Sequence, residues 1–188
     1  MDLISAHAIL EKSGVKMTQG LSDEEFAHIE RLYGIRFPPD LRQFLSIGLP
    51  VSGGWPDWRL AGEQKIRDRL AWPLEGIIYD IENNSFWCRD WGPRPTGTAS
   101  AIQMASQASE AVPPMIPIFS HRYIPAVPSE SGNPVFSIYQ TDVIYYGANL
   151  MDYFQNEFLM AFGRAEYTIA SPVREIPFWS QLARGILD

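Results

Sequence analysis

The sequence predicts an α+β fold in which helices pack around a central, mostly antiparallel sheet. Three observations carry that prediction. Residues 21–49 hold two consecutive helical patterns with their own start and stop signals, residues 115–146 concentrate β-branched and aromatic side chains, and helical spacing returns after Gly147. At 188 residues the chain suffices for one well-buried core, and no linker divides it, so residues 1–188 are expected to form a single domain.

At the start, Leu3, Ala6, His7 and Leu10 recur at helical spacing, and Ser13-Gly14 supplies a stop. Ser22 and Glu25 have the spacing of a capping box, in which each side chain satisfies the other residue's backbone N–H. Leu21 and Phe26 sit where a hydrophobic staple places them, and Ile29, Leu32 and Tyr33 extend the same face to Gly34. Glycine there can take the left-handed backbone that ends a helix. Pro38-Pro39-Asp40 restarts a helix whose stripe is Leu41, Phe44 and Leu45, ending at Gly48.

Residues 50–95 shift towards Trp, Pro and Gly, with Trp55, Trp58, Trp72, Trp87 and Trp91 among them. Residues 63–70 favour a polar helix. After Trp72-Pro73, Leu74, Ile77, Ile78 and Ile81 fit a helical face, although Ile77, Tyr79 and Ile81 also fit strand alternation. Asn83-Asn84 closes that element, and Gly92-Pro93-Arg94-Pro95 forms a rigid turn. Residues 99–111 read as a small-residue helix stopped by Pro113-Pro114.

Between Ala101 and Leu150 only Glu110, Arg122, Glu130 and Asp142 carry formal charge, as a largely buried sheet requires. Residues 115–119, 135–139 and 143–146 are expected strands, and the polar Gln140-Thr141-Asp142 makes the last two an antiparallel hairpin. Residues 120–134 contain Pro125, Pro128, Gly132 and Pro134, which predicts a constrained loop or a broken edge strand. Leu150, Tyr153, Phe154 and Phe158 then return to helical spacing. A last short helix over Ile176, Phe178, Trp179 and Leu182 is expected to cover an open face.

Composition removes several function classes. No apolar run reaches the roughly 18 residues of a membrane span. The first residues lack a signal-peptide pattern, which together with a lone cysteine, Cys88, points to the cytoplasm. A net charge of −7 without a basic stripe argues against nucleic acid as partner. His7, His28 and His121 are isolated, so neither a metal nor a cofactor is expected.

Ser120-His121, with Asp142 across the hairpin, raises the possibility of a small hydrolase. No G-x-S-x-G turn accompanies it, and a polar strand end at the sheet rim is the simpler account. Glu24-Glu25 and Asp80-Glu82 could serve acid–base chemistry if they lined a cleft, but capping and solvated faces explain them. Gly53-Gly54 lacks the lysine of a phosphate loop. Trp87, Asp90 and Trp91 admit two readings, a stacked aromatic surface for a partner or a seal over the core.

The run LSDEEFAHIERLYGIRFPPDLRQFL, followed by PLEGIIYDIENNSFWCRDWGPRP and then by MIPIFSHRYIPAVPSESGNPVFSIYQTDVIYYGANLMDYFQNEF, resembles the SUKH superfamily. Within it the chain looks like the Smi/Knr branch, named after a fungal cell-wall-synthesis regulator, and its bacterial immunity-protein-like subgroup. The resemblance spans most of residues 21–160. It implies an α+β fold, no catalytic residues and a role in protein binding. For bacterial members the implied partner is a cognate toxin, often a basic nuclease; for fungal relatives, the role is that of an interaction scaffold. The expected contact residues are Trp87, Asp90 and Trp91, with the hairpin rim of His121, Arg122, Tyr123, Gln140 and Asp142.

Overall fold

The computed structural model describes residues 2–186. It is an α+β fold built on a four-stranded antiparallel meander in the order β3-β4-β5-β6, namely Met115–Phe119, Arg122–Pro125, Val135–Tyr139 and Asp142–Gly147. Both faces of this sheet are covered, which is why its strands are so poor in charge. On one face Ile116, Ile118, Ile124 and Val135 meet α1 (Leu3–Lys12), α2 (Asp23–Tyr33), α3 (Pro39–Ile47) and α6 (Leu150–Glu157). On the other, Tyr123, Phe136, Ile138 and Val143 meet α5 (Thr98–Ser109), α7 (Trp179–Ala183) and the second half of the long helix α4 (Glu63–Asn83).

The local signals behave as their chemistry requires. Ser22 and Glu25 form the capping box, and Gly34 ends α2 at φ 66°. His7 is buried, stacked on the Phe44 ring, and its Nε2–H donates to the Phe44 carbonyl at 2.7 Å. Burial lowers its pKa and keeps it neutral, so it is a packing residue. The final helix covers the open face as expected: Trp179 is buried and its indole N–H donates to the Pro113 carbonyl at 2.8 Å.

Three features depart from the sequence expectation. Met17–Gln19 (β1) and Gly48–Pro50 (β2) form a small antiparallel pair where only helix ends were anticipated. Residues 122–125, expected in a loop or edge strand, form an inner strand. β4 pairs fully with β3 but with β5 only at Arg122↔Ser137 and Tyr123↔Phe136, because Pro125 has no N–H to continue the ladder. Beyond it, buried Asn133 donates its side-chain amide to the Pro125 and Pro128 carbonyls and holds the proline-rich loop in place.

The third departure matters most for the site. Residues 63–83 are one helix of 21 residues with Pro73 inside it. Proline removes the N–H that would bond the Arg69 carbonyl four residues back and normally breaks a helix. Here the Tyr123 hydroxyl donates to that carbonyl at 3.0 Å. A group from the sheet thus replaces the missing helical donor, and α4 runs on past the proline.

Candidate functional site

Helix α4 lies across the tips of both hairpins, and each tip is tied to it by a separate device. At the β3–β4 tip, Ser120 adopts φ 49° and gives its backbone N–H to the Gly54 carbonyl at 2.7 Å. The Arg69 guanidinium donates to the same Gly54 carbonyl at 2.7 Å and to the Ser120 carbonyl at 3.1 Å. At the β5–β6 tip, the carboxylate of Asp80, 3% exposed, accepts from the Thr141 N–H at 2.8 Å and the Thr141 hydroxyl at 2.5 Å. Gly76 lets the helix approach so closely that a Cβ there would lie 2.8 Å from the Gln140 Cα.

Between the tethers a cleft remains open. Its larger part, about 480 Å³, is lined by Asp68, Arg69, Trp72, Glu75, Ser120, His121, Tyr123 and Tyr139. A smaller hollow of about 190 Å³ continues past Trp72, Glu75 and Tyr139 to Tyr79 and Gln140. Tyr123 belongs to the floor: burial pushes its hydroxyl up to about 12, so it stays a donor. Trp72, Tyr79 and Tyr139 are 48%, 49% and 57% exposed. Large rings left in water around one concavity mark a binding surface more often than a packing accident.

The expected contact residues divide into three groups. His121, Tyr123 and Gln140 come together at the cleft, and Asp142 is exposed beside it, paired with Tyr139 across the hairpin. Arg122 is corrected. Its side chain is buried on the opposite face of the sheet, where it pairs with Glu157 at 2.8 Å, bonds the Ser137 hydroxyl and lies over the Tyr146 ring. Strand alternation explains the separation, since neighbours of Tyr123 and His121 along the chain point to alternate faces.

Trp87, Asp90 and Trp91 are apart from the rim. The Trp87 indole donates to the Gly92 carbonyl, and Trp91 stacks on Phe178 with centroids 5.9 Å apart. Trp91 sits with Leu74, Ile77 and Ile78 of α4, while Asp90 is exposed. At 3.6 residues per turn those three positions face about half a turn away from Trp72, Glu75 and Tyr79. The two half-buried tryptophans therefore seal the second core cluster.

The hydrolase arrangement is half present. Ser120 Oγ lies 3.1 Å from His121 Nδ1. Among the described residues no carboxylate hydrogen-bonds that ring, and burial and Arg122 both lower its pKa. A general base needs an orienting group on its second nitrogen, and an oxyanion needs free N–H donors. The Ser120 N–H is already given to Gly54.

Cys88 is buried with its thiol pushed up by desolvation, a packing residue in this setting. Among the described residues no group of three His, Cys, Asp or Glu side chains could hold a metal ion, and no helix is long and apolar enough to cross a membrane.

Sequence reasoning missed Asp68, Trp72, Glu75, Tyr79 and Tyr139. A signal existed: on a continuous helix, Trp72 and Tyr79 fall on the polar face with Glu75, where large rings need a reason. Treating Pro73 as a boundary hid that phase.

Fold and cleft together define an α+β protein with an open aromatic cleft flanked by carboxylates. No protein-family model matches the chain, and no curated protein or solved structure matches it either.

Proposed function

We propose that this chain is a protein-binding module that holds its partner in the cleft beside α4, and that it serves as a toxin-neutralising immunity protein of a bacterial polymorphic toxin system. The observation that carries the binding part is the exposure of Trp72, Tyr79 and Tyr139 around one concavity whose walls are tethered on both sides. Rigid aromatic anchors contribute contact area at small entropic cost, and a preformed cleft avoids the cost of ordering its walls. The immunity role comes from the resemblance of residues 21–160 to the SUKH superfamily, which belongs to the same proposal. The net charge of −7 fits it, since an acidic surface speeds encounter with a basic nuclease.

The test is a titration of the purified chain against the nuclease-type product of the neighbouring gene, followed by calorimetry and residual nuclease activity. A stoichiometric complex with loss of cleavage is expected, weakened by Trp72→Ala and Tyr139→Ala. Undiminished cleavage and no heat of binding would overturn the immunity role. Binding to an endogenous protein in a strain without any toxin gene would instead select a regulatory scaffold. The Ser120–His121 contact favours one rival, a small hydrolase, and ester turnover that disappears in Ser120→Ala would establish it.

A further inference from the structure

Within the cleft wall, α4 carries a pattern that its amphipathic core face does not require. Positions 68, 72, 75, 79 and 82 step by four and three residues and read Asp, Trp, Glu, Tyr, Glu. All five are exposed. The carboxylates repeat every seven residues and so do the rings, which keeps them in one narrow stripe because seven residues fall only about 20° short of two full turns. Lys65 stands at the N-terminal end of the same stripe and makes no ion pair among the described residues.

Elsewhere on the surface some exposed carboxylates find cations, as Asp23 does in Arg42, Glu63 in Arg67 and Glu130 in Arg174. Others, such as Glu11, Glu110 and Glu166, form no ion pair among the described residues but stand singly, away from exposed rings on a shared helix stripe. Along the α4 stripe carboxylates without ion pairs stand together with exposed rings. Asp68 accepts only from the Gln64 amide, and no ion pair involves Glu75 or Glu82 among the described residues. The arginines nearby are engaged elsewhere: Arg69 spends its guanidinium on the Gly54 and Ser120 carbonyls, Arg67 on Glu63 and the Leu32 carbonyl, and Arg94 on the Ile81 carbonyl. Flat rings thus alternate with unneutralised carboxylates, and Tyr139 stands across the cleft.

That alternation matches one chemistry. A guanidinium or ammonium seated between a ring and a carboxylate gains a cation–π contact and a charge-assisted hydrogen bond together. Four-three spacing is also the spacing at which two helices interlock at a shallow crossing angle. We infer that the α4 stripe receives a basic helix of the partner protein, one that presents Arg or Lys at the same four-three spacing. This inference rests on the protein-binding reading above and specifies the partner's chemistry.

Two fluorescent alanine-based helical peptides of equal composition test it against the full chain. One carries its arginines along a single face at four-three spacing; the other distributes them around the helix. Anisotropy titrations are expected to favour the patterned peptide about tenfold, with affinity falling as salt rises. Trp72→Ala and Glu75→Gln should each weaken the patterned peptide about fivefold to tenfold, while Met160→Ala, at an exposed site that does not line the cleft, leaves it unchanged. Tyr79→Ala provides a second ring deletion, and far-UV dichroism checks that each variant folds.

Equal affinity for both peptides, or no loss in Trp72→Ala and Glu75→Gln, overturns the inference. So does equal binding of a proline-interrupted peptide of the same charge, which would make the occupant extended. The toxin titration separates this inference from the reading beneath it. A toxin complex that survives Trp72→Ala and Glu75→Gln rejects the basic helix and leaves the binding module standing. A patterned-peptide preference without any toxin complex rejects the immunity role alone.

Discussion

Gly76→Ala is a substitution for which helix propensity and packing give opposite signs. Gly76 lies inside α4, and glycine in a helix interior is worth about 1 kcal/mol less than alanine, so propensity alone predicts stabilisation. The structure places the new Cβ 2.8 Å from the Gln140 Cα and 3.1 Å from its backbone N. Carbon atoms prefer about 3.5–4.0 Å, so the contact must open by about 1 Å. Gln140 cannot yield as a flexible side chain would, because the contact is with backbone at φ 57° next to Thr141, which Asp80 holds by two hydrogen bonds.

Overpacking costs about 1–3 kcal/mol, and a clamped backbone puts the cost near the top of that range. Subtracting the propensity gain leaves a net loss of about 2 kcal/mol. Urea unfolding followed by far-UV dichroism measures it, with the slope unchanged and the midpoint lowered. Amide exchange at Thr141 should quicken in the same variant. A gain in stability would refute the close docking of α4 on the hairpin tip, and with it the rigid far wall of the cleft.

Three further outcomes follow from the same structure. Tyr123→Phe should cost about 1 kcal/mol in the natural chain but little in a Pro73→Ala background, where a restored N–H can serve the Arg69 carbonyl; additive effects in the double-mutant cycle would remove the compensation. Arg122→Ala should destabilise by about 3–5 kcal/mol in urea unfolding, since Glu157 is left buried without its partner, whereas a surface contact residue would change binding and not stability. Glu25 is held down to about 2, first by the Arg59 guanidinium and then by the Ser22 N–H, below its ordinary 4.5. With the folded value below the unfolded one, this stabilisation is complete above the ordinary carboxylate range and is lost as pH falls towards about 2. At a pair exposed by about a third, solvent screening limits it to about 1 kcal/mol, and Glu25→Gln should remove that share of the acid slope.

What was legible in the sequence was local. The Ser22–Glu25 box, Gly34, the strands at 115–119 and 135–139, and the tail at Trp179 each declare themselves within a few residues, because caps and alternation act over that range. What was hidden depends on distant partners. Pro73 reads as a break unless Tyr123, 50 positions along the chain, is known to supply the donor. Residues 120–134 read as a loop or a broken edge strand because their prolines are visible, while the buried Asn133 that holds the Pro125 and Pro128 carbonyls is not recognisable as such. The cleft itself is assembled from α4 and two hairpin tips, so no single stretch could announce it.

The tryptophans show what would have recovered the site. Six are present, and by composition they are equivalent. Trp55 and Trp58 vanish into the first core cluster, Trp179 into the second, and Trp87 and Trp91 pack against that second cluster. Only Trp72 stands half in water on a helix, and its phase sets it apart: Leu74, Ile77 and Ile81 claim the opposite face. A clustered tryptophan is therefore weak grounds for an interface, as Trp87 and Trp91 demonstrate. A tryptophan on the polar face of an amphipathic helix, spaced from a tyrosine by seven and flanked by acids without ion pairs, has no role in its own core, and that placement is what supports the proposed binding role.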